Sequence, residues 1–238
     1  MRHRLDIRIS NLGLGALLMG AVIVAPAAAQ EIESSIARGG RLYDKFFVEN
    51  KAPKPAADHP SYIKDGKYGK DTSWRCKECH GWDYKGKDGA YAKGGHFTGI
   101  KGIQGAAGKD PAAIGALLRD KVHGYSELQL SARDATDLAN FVSKGQGQLA
   151  KHLDASNKAK GDAAKGAAYY NTLCAGCHGE DGKGVKNGPA LGSVADNGAE
   201  MMHKILNGQP AEAMPALRAI DHQIAADIAV HLTKLPAK

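Results

Sequence analysis

Apolar positions recur along this chain at helical spacing, in short stretches separated by polar, glycine-rich segments. Ile36, Tyr43 and Phe47 fall on related faces of a first helix, which carries Gly40-Arg41-Leu42-Tyr43. Gly166-Ala167-Ala168-Tyr169 repeats that Gly-x-x-Tyr pattern, so the chain reads as a duplicated unit. Each unit closes on an amphipathic helix. In the first, Ser131 and Asp134 form a capping box ahead of a stripe of Leu138, Phe141 and Val142. In the second, Asp221 is the N-cap of a stripe of Ile224, Ile228, Leu232 and Leu235. Asp110-Pro111, an N-cap followed by proline at N1, starts another helix, and Glu200 to Asn207 forms one stopped by Gly208. No stretch reads as a strand. The expected fold is all-α with irregular loops, in two domains. Ser143 to Gly161, rich in Gly, Gln, Lys and Asn, reads as a linker or a helix-flanking connection.

The N-terminus has a different pattern. Arg2, Arg4 and Arg8 precede an apolar stretch from Leu12 to Val24 and the small residues Ala27-Ala28-Ala29. This is the order of a secretory signal, with cleavage expected after Ala29 and a mature chain beginning at Gln30. An uncleaved anchor over Ile9 to Ala29 is the alternative, and membrane association is expected only in that case. The expected boundaries are 1–29 for the signal, 30–145 for the first domain with an insert at about 48–74, 146–161 for the linker and 162–238 for the second domain.

A mature chain of 209 residues is long enough for two small domains, and its formal charge is +5. The lysines are spread among acids rather than gathered in a tract, and an exported protein does not meet nucleic acid, so that partner is excluded. Aromatic residues make up only 6% of the chain. Two small cores with so few rings would be helped by a large apolar cofactor.

The cysteines supply one. All four lie in two copies of C-x-x-C-H: Cys76-Lys77-Glu78-Cys79-His80 and Cys174-Ala175-Gly176-Cys177-His178. This is the attachment signature of c-type haem: the thiols bond covalently to the cofactor and the histidine becomes an iron ligand. A four-thiolate zinc site would have to span 98 positions and would leave both histidines unexplained. Redox or structural disulfides also leave the histidines without a role. The expected cofactors are two covalently bound haem c groups, held through Cys76, Cys79, Cys174 and Cys177, with His80 and His178 as proximal ligands.

The order of a Gly-x-x-Tyr helix, C-x-x-C-H, a Gly-rich loop, a methionine and a terminal amphipathic helix resembles class I cytochrome c domains in tandem, as in bacterial periplasmic dihaem cytochromes c. The resemblance covers essentially the whole mature chain and is strongest in the second half. There Gly188-Pro189-Ala190-Leu191 resembles the proline segment beside the proximal histidine, and Met214-Pro215-Ala216-Leu217 the segment carrying the distal ligand. It implies an all-α fold of two such domains, each wrapped around one haem, with Met214 on the second iron. Met201 and Met202, on a helix, are expected to pack in the core.

The first half departs from the family. Some 28 extra residues separate its Gly-x-x-Tyr helix from its haem motif, no Gly-Pro-x-Leu follows, and its mature part contains no methionine. Another group must take the distal position. Placing Asp137 opposite Asp227 puts Met214 opposite Gly124, one residue from His123. His123 is therefore the expected ligand. His96, after Gly94-Gly95, is the runner-up, followed by His59, a lysine, water or an open site. Trp74, Trp82 and Tyr84 bracket the first motif and are expected to pack around its pocket, while Lys85, Lys87 and Lys93 are candidates for a docking surface.

The resemblance implies electron transfer rather than catalysis: a periplasmic carrier between a dehydrogenase or quinol-oxidising donor and a terminal oxidase or reductase. The alternative is a dihaem redox enzyme, or a cytochrome subunit of an oxidoreductase, with an open or labile site at the first haem. In that reading the insert would serve as a partner interface.

Overall fold

A computed structural model describes residues 24–64, 66–147 and 149–238. The expected signal, 1–29, lies almost wholly outside the described residues. The first helix, α1 (Val24–Glu49), runs through the expected cleavage point after Ala29 and is kinked at Lys45. The remaining helices of the first half are α2 (Cys76–His80), α3 (Pro111–Leu117) and α4 (Ala132–Asn140). The second half contributes α5 (Ala163–Leu173), α6 (Ala175–His178), α7 (Leu191–Val194), α8 (Gly198–Asn207) and α9 (His222–Leu232). Among the described residues there is no strand, only two isolated bridges, Gly86 to Lys101 and Leu153 to Ala159. The chain is thus helical, as expected. No helix among the described residues is long and apolar enough to cross a membrane.

The helix boundaries follow the caps. Ser131 and Asp134 form the expected reciprocal box at the start of α4. Asp110 accepts from the Ala112 N–H and Asp221 from the Gln223 N–H. Asp162, which is not among the expected caps, serves α5 by accepting from Ala164 and Lys165. Gly208, at φ +86°, turns the chain out of α8.

Two helix crossings organise the halves: α1 against α4, and α5 against α9. Each closes on a glycine. A Cβ at Gly39 would lie 2.0 Å from the Asp137 carbonyl oxygen, and one at Gly166 would lie 2.0 Å from the Asp227 carbonyl oxygen. Only glycine permits so close an approach. One turn further along each helix stands a fully buried tyrosine. Tyr43 donates to the Gly81 carbonyl at 2.6 Å and Tyr170 to the Gly179 carbonyl at 2.7 Å.

These contacts correct the repeat. The structural pattern is Gly-x-x-x-Tyr, pairing Gly39 with Gly166 and Tyr43 with Tyr170. Tyr169, the expected counterpart of Tyr43, is only half-buried. The reason is helical geometry: positions four apart share a face, so the residue that follows the crossing glycine onto the core is at i+4. Gly40 serves another neighbour, since its Cβ would lie 2.3 Å from Asn207 Cγ on α8.

That neighbour joins the halves. The fully buried His203 ring of α8 reaches the Gly40 carbonyl through Nε2 at 3.0 Å and the Tyr84 hydroxyl through Nδ1 at 2.7 Å. Tyr84 can donate only if Nδ1 accepts, so Nε2 carries the proton and donates to Gly40. Lys204 Nζ lies 2.7 Å from Asp44, which also pairs with Arg75. Burial would raise the Asp44 carboxyl, but the Lys204 and Arg75 charges together hold it below the usual carboxylate range. Trp82 and Tyr84 are buried at this seam, and Met201 and Met202 pack in the core as expected. The Ser143 to Gly161 connection is also packed down. A π-turn, Phe141–Gly145, leads into it from α4, and it contains a 3-10 turn, Leu149–His152, with Leu149 buried.

Candidate functional site

Each C-x-x-C-H segment sits on a short helix, α2 or the end of α5 running into α6, which places two thiols and one imidazole within about a turn. Both motifs leave the helix through a left-handed glycine, Gly81 at φ +78° and Gly179 at φ +74°. Both are then fixed by the same contacts. The tyrosines hold the Gly81 and Gly179 carbonyls, while the Gly86 N–H donates to the His80 carbonyl at 2.9 Å and the Gly184 N–H to the His178 carbonyl at 2.7 Å.

All four cysteines are free thiols, so neither motif closes a disulfide. Among the described residues no three His, Cys, Asp or Glu side chains converge on one point, which removes the shared zinc site. Desolvation pushes Cys76 up to about 11, Cys79 to about 12 and Cys174 to about 11. Thiols held in the protonated form are unlike the depressed thiolates of redox-active pairs.

In the first half the structure brings two imidazoles together. His80 Nδ1 lies 2.6 Å from the Lys101 carbonyl and donates to it, which leaves Nε2 as the free nitrogen. The His123 ring lies with its centre 6.3 Å from that of His80, the planes 28° apart. Two imidazoles bonded to one metal at about 2 Å each, with ring centres a further ~1 Å behind the bonding nitrogens, stand roughly 6 Å apart. The spacing therefore fits a metal between them. Desolvation holds His80 below the ordinary imidazole range, partly offset by the Lys101 carbonyl and reinforced by His123. A neutral ring is the form that ligates.

The other distal candidates are engaged elsewhere. His96 is stacked between Tyr68, at 4.2 Å, and Tyr91, at 4.6 Å, and its Nδ1 lies 2.9 Å from the buried Glu78 carboxylate. Lys77 reaches the other oxygen of Glu78 at 2.9 Å. His59 is buried in the insert and directs Nε2 to the His123 carbonyl at 2.8 Å.

In the second half His178 and Met214 are both half-buried. The loop carrying Met214 folds back on the end of α8. The Leu217 N–H donates to the Ile205 carbonyl at 3.0 Å, and the Met214 carbonyl would lie 2.7 Å from a Cβ at Gly208. The segment at Pro189 does not bond the His178 ring. It turns back on itself instead, with Gly188 donating to Val185 and Leu191 to Gly182. The carbonyl that orients an imidazole is thus present at Lys101 in the first half, where sequence could not mark it, because any residue supplies a backbone oxygen.

Apolar side chains near the candidate ligands in sequence are exposed: Val122 and Leu128 flank His123, Leu173 and Val185 flank the Cys174 to His178 segment, and Ile220 follows Met214. Exposed apolar groups of this kind are what a large apolar ring would cover. The geometry and the donor set fit a covalently held haem.

Residues 161–232 match the family model described as Cytochrome C oxidase, cbb3-type, subunit III. The match covers under a third of the chain and lies wholly in the second half. No curated protein and no solved structure matches the chain. The second half thus carries a cytochrome c domain, a unit that implies covalently bound haem c and electron transfer.

Proposed function

We propose that the chain is an exported dihaem electron carrier built of two tandem cytochrome c domains. The observation that carries this reading is the first half, which lies outside the matched region. It repeats the motif helix, the buried tyrosine and the crossing glycine of the matched half, and adds two imidazoles at the separation a shared metal needs.

When bound, haem supplies reversible one-electron chemistry, and the protein supplies binding, orientation and electrostatics. Cys76 and Cys79 would hold the first group, with His80 and His123 on its iron. Cys174 and Cys177 would hold the second, with His178 and Met214. The Lys101 carbonyl fixes the His80 tautomer and makes that ligand more basic. Methionine ligation at Met214 would raise the potential of the second site relative to a first site held by His80 and His123, which would favour electron passage from the first domain to the second. The sequence pattern of an export signal, with cleavage expected after Ala29, supports a carrier in the periplasm. There it links a dehydrogenase or quinol oxidiser to a terminal oxidase or reductase, and the likeness of the second half to an oxidase subunit is in keeping with that role.

The test is a comparison of Met214→Ala and His123→Ala. Met214→Ala abolishes a methionine-to-ferric-iron charge-transfer band and lowers one potential. His123→Ala leaves that band intact and turns the other haem high-spin. If both substitutions perturb the same haem, the assignment of ligands to domains is wrong.

A further inference from the structure

The insert has no counterpart in the second half, where three residues separate Tyr170 from Cys174. Its polar contacts converge on the segment that carries His123. His59 is buried, and its ring packs against Trp74 at 4.5 Å and Tyr125 at 5.9 Å. The Ser61 N–H donates to His59 Nδ1 at 3.1 Å, which fixes the tautomer: Nε2 bears the proton and donates to the His123 carbonyl at 2.8 Å. Ser61 Oγ donates to the preceding carbonyl, that of Val122, at 2.6 Å. Two residues further on, the Tyr125 hydroxyl donates to the Trp74 carbonyl at 2.7 Å.

The other side of the same residue is held from its own loop. Asp120 Oδ1 accepts from the backbone N–H groups of Val122 and His123, both at 2.8 Å. His123 is therefore gripped at both backbone groups, while its ring, whose Nδ1 lies 3.3 Å from Asp120 Oδ1, stands 6.3 Å from that of His80. Immediately after it the chain turns through Gly124 at φ +63°.

We propose that the insert is a clamp on the distal ligand of the first haem, with His59 as its positioning residue. The inference rests on the ligation proposed above. A loop ligand without such support exchanges with five-coordinate iron, and an external ligand binds in proportion to the open fraction. By fixing the His123 backbone, the His59 hydrogen bond lowers that fraction and keeps the first haem closed to small molecules. The second domain has no such insert, and its distal segment is anchored to α8 instead.

The experiment is carbon monoxide binding to the ferrous holoprotein, read beside the ferric spectrum. His59→Leu removes the donor at similar bulk, while His59→Gln retains an N–H at the Nε2 position. The expected result is an approximately tenfold rise in carbon monoxide association at one haem in His59→Leu, equivalent to about 1.4 kcal/mol. His59→Gln restores most of the slow binding, and the methionine charge-transfer band is unchanged in both. In a His123→Ala background, His59→Leu adds nothing, because the residue acts through the ligand. Unchanged binding in His59→Leu, or an equal effect in the His123→Ala background, overturns the clamp. Fast, stoichiometric binding in the unsubstituted protein overturns the ligation itself, and is told apart by appearing without any substitution.

Discussion

The His203 imidazole donates to the carbonyl of Gly40 across the seam between the two halves, at 3.0 Å. No water reaches the ring, and burial pushes it down to about 3, a shift the nearby Asp44 only partly opposes. The folded protein thus keeps this histidine neutral throughout mild acid, while the unfolded chain protonates it near 6.5.

The sign of the pH dependence follows. Between about pH 6.5 and pH 3 the unfolded state binds a proton that the folded state does not, so stability falls as pH falls, by roughly 1.4 kcal/mol per pH unit for this one group. Above pH 6.5 it contributes no slope. Urea unfolding of the holoprotein against pH should show the loss, and His203→Gln should flatten it by about one proton. An unchanged slope in His203→Gln would mean that the ring titrates alike in both states.

Haem attachment is read most directly by mass. The exported protein should exceed its mature polypeptide by two haems, and Cys76→Ala or Cys174→Ala should impair attachment in its own half alone. A mass that includes one haem, or none, removes the dihaem reading.

The crossing glycines make a sharper structural test. In a helix interior alanine is favoured over glycine by about 1 kcal/mol. At Gly166 a Cβ would meet the Asp227 carbonyl oxygen at 2.0 Å, a backbone atom that cannot step aside, and overpacking of this kind costs about 1–3 kcal/mol or more. Gly166→Ala and Gly39→Ala should therefore lower the melting temperature. At Gly115 on α3 the nearest neighbour of a Cβ is 3.9 Å away, so Gly115→Ala should leave the melt unchanged or raise it. Equal effects at the three positions would contradict the crossings.

Lys85 and Lys93 are exposed, while Lys87 pairs with Asp88 at 2.9 Å. Stopped-flow reduction by a small anionic reductant should slow as salt rises, since charges are screened beyond about 8 Å at physiological ionic strength. Lys85→Glu combined with Lys93→Glu should weaken that salt dependence. A dependence unaltered by the pair would place the electron entry point elsewhere.

Local features are legible in the sequence and pair contacts are not. The Ser131–Asp134 box, the Asp110 and Asp221 caps and the Gly208 stop are encoded within a few residues of where they act, and the structure has each of them. The pairing of Asp137 with Asp227 points to His123, because the two C-terminal helices meet equivalent glycines. The tyrosine register slips by one because adjacent residues, Tyr169 and Tyr170, both offer a match and only the crossing decides between them. The contacts of His203 with Gly40 and Tyr84, and of His59 with His123, join residues far apart in sequence. Two of these three partner groups are backbone carbonyls, which no side-chain pattern records.

Helix α1 packs against α4 with one face and α8 with another. Two units that look alike in sequence are, in this arrangement, indivisible. Severing the connection near residue 150 would not release two modules. It would strip α1 of its α8 neighbour and bare Tyr84, Trp82 and His203 together. Heat or denaturant should accordingly melt the chain in one cooperative step rather than two, and neither half should be recoverable as a stable fragment.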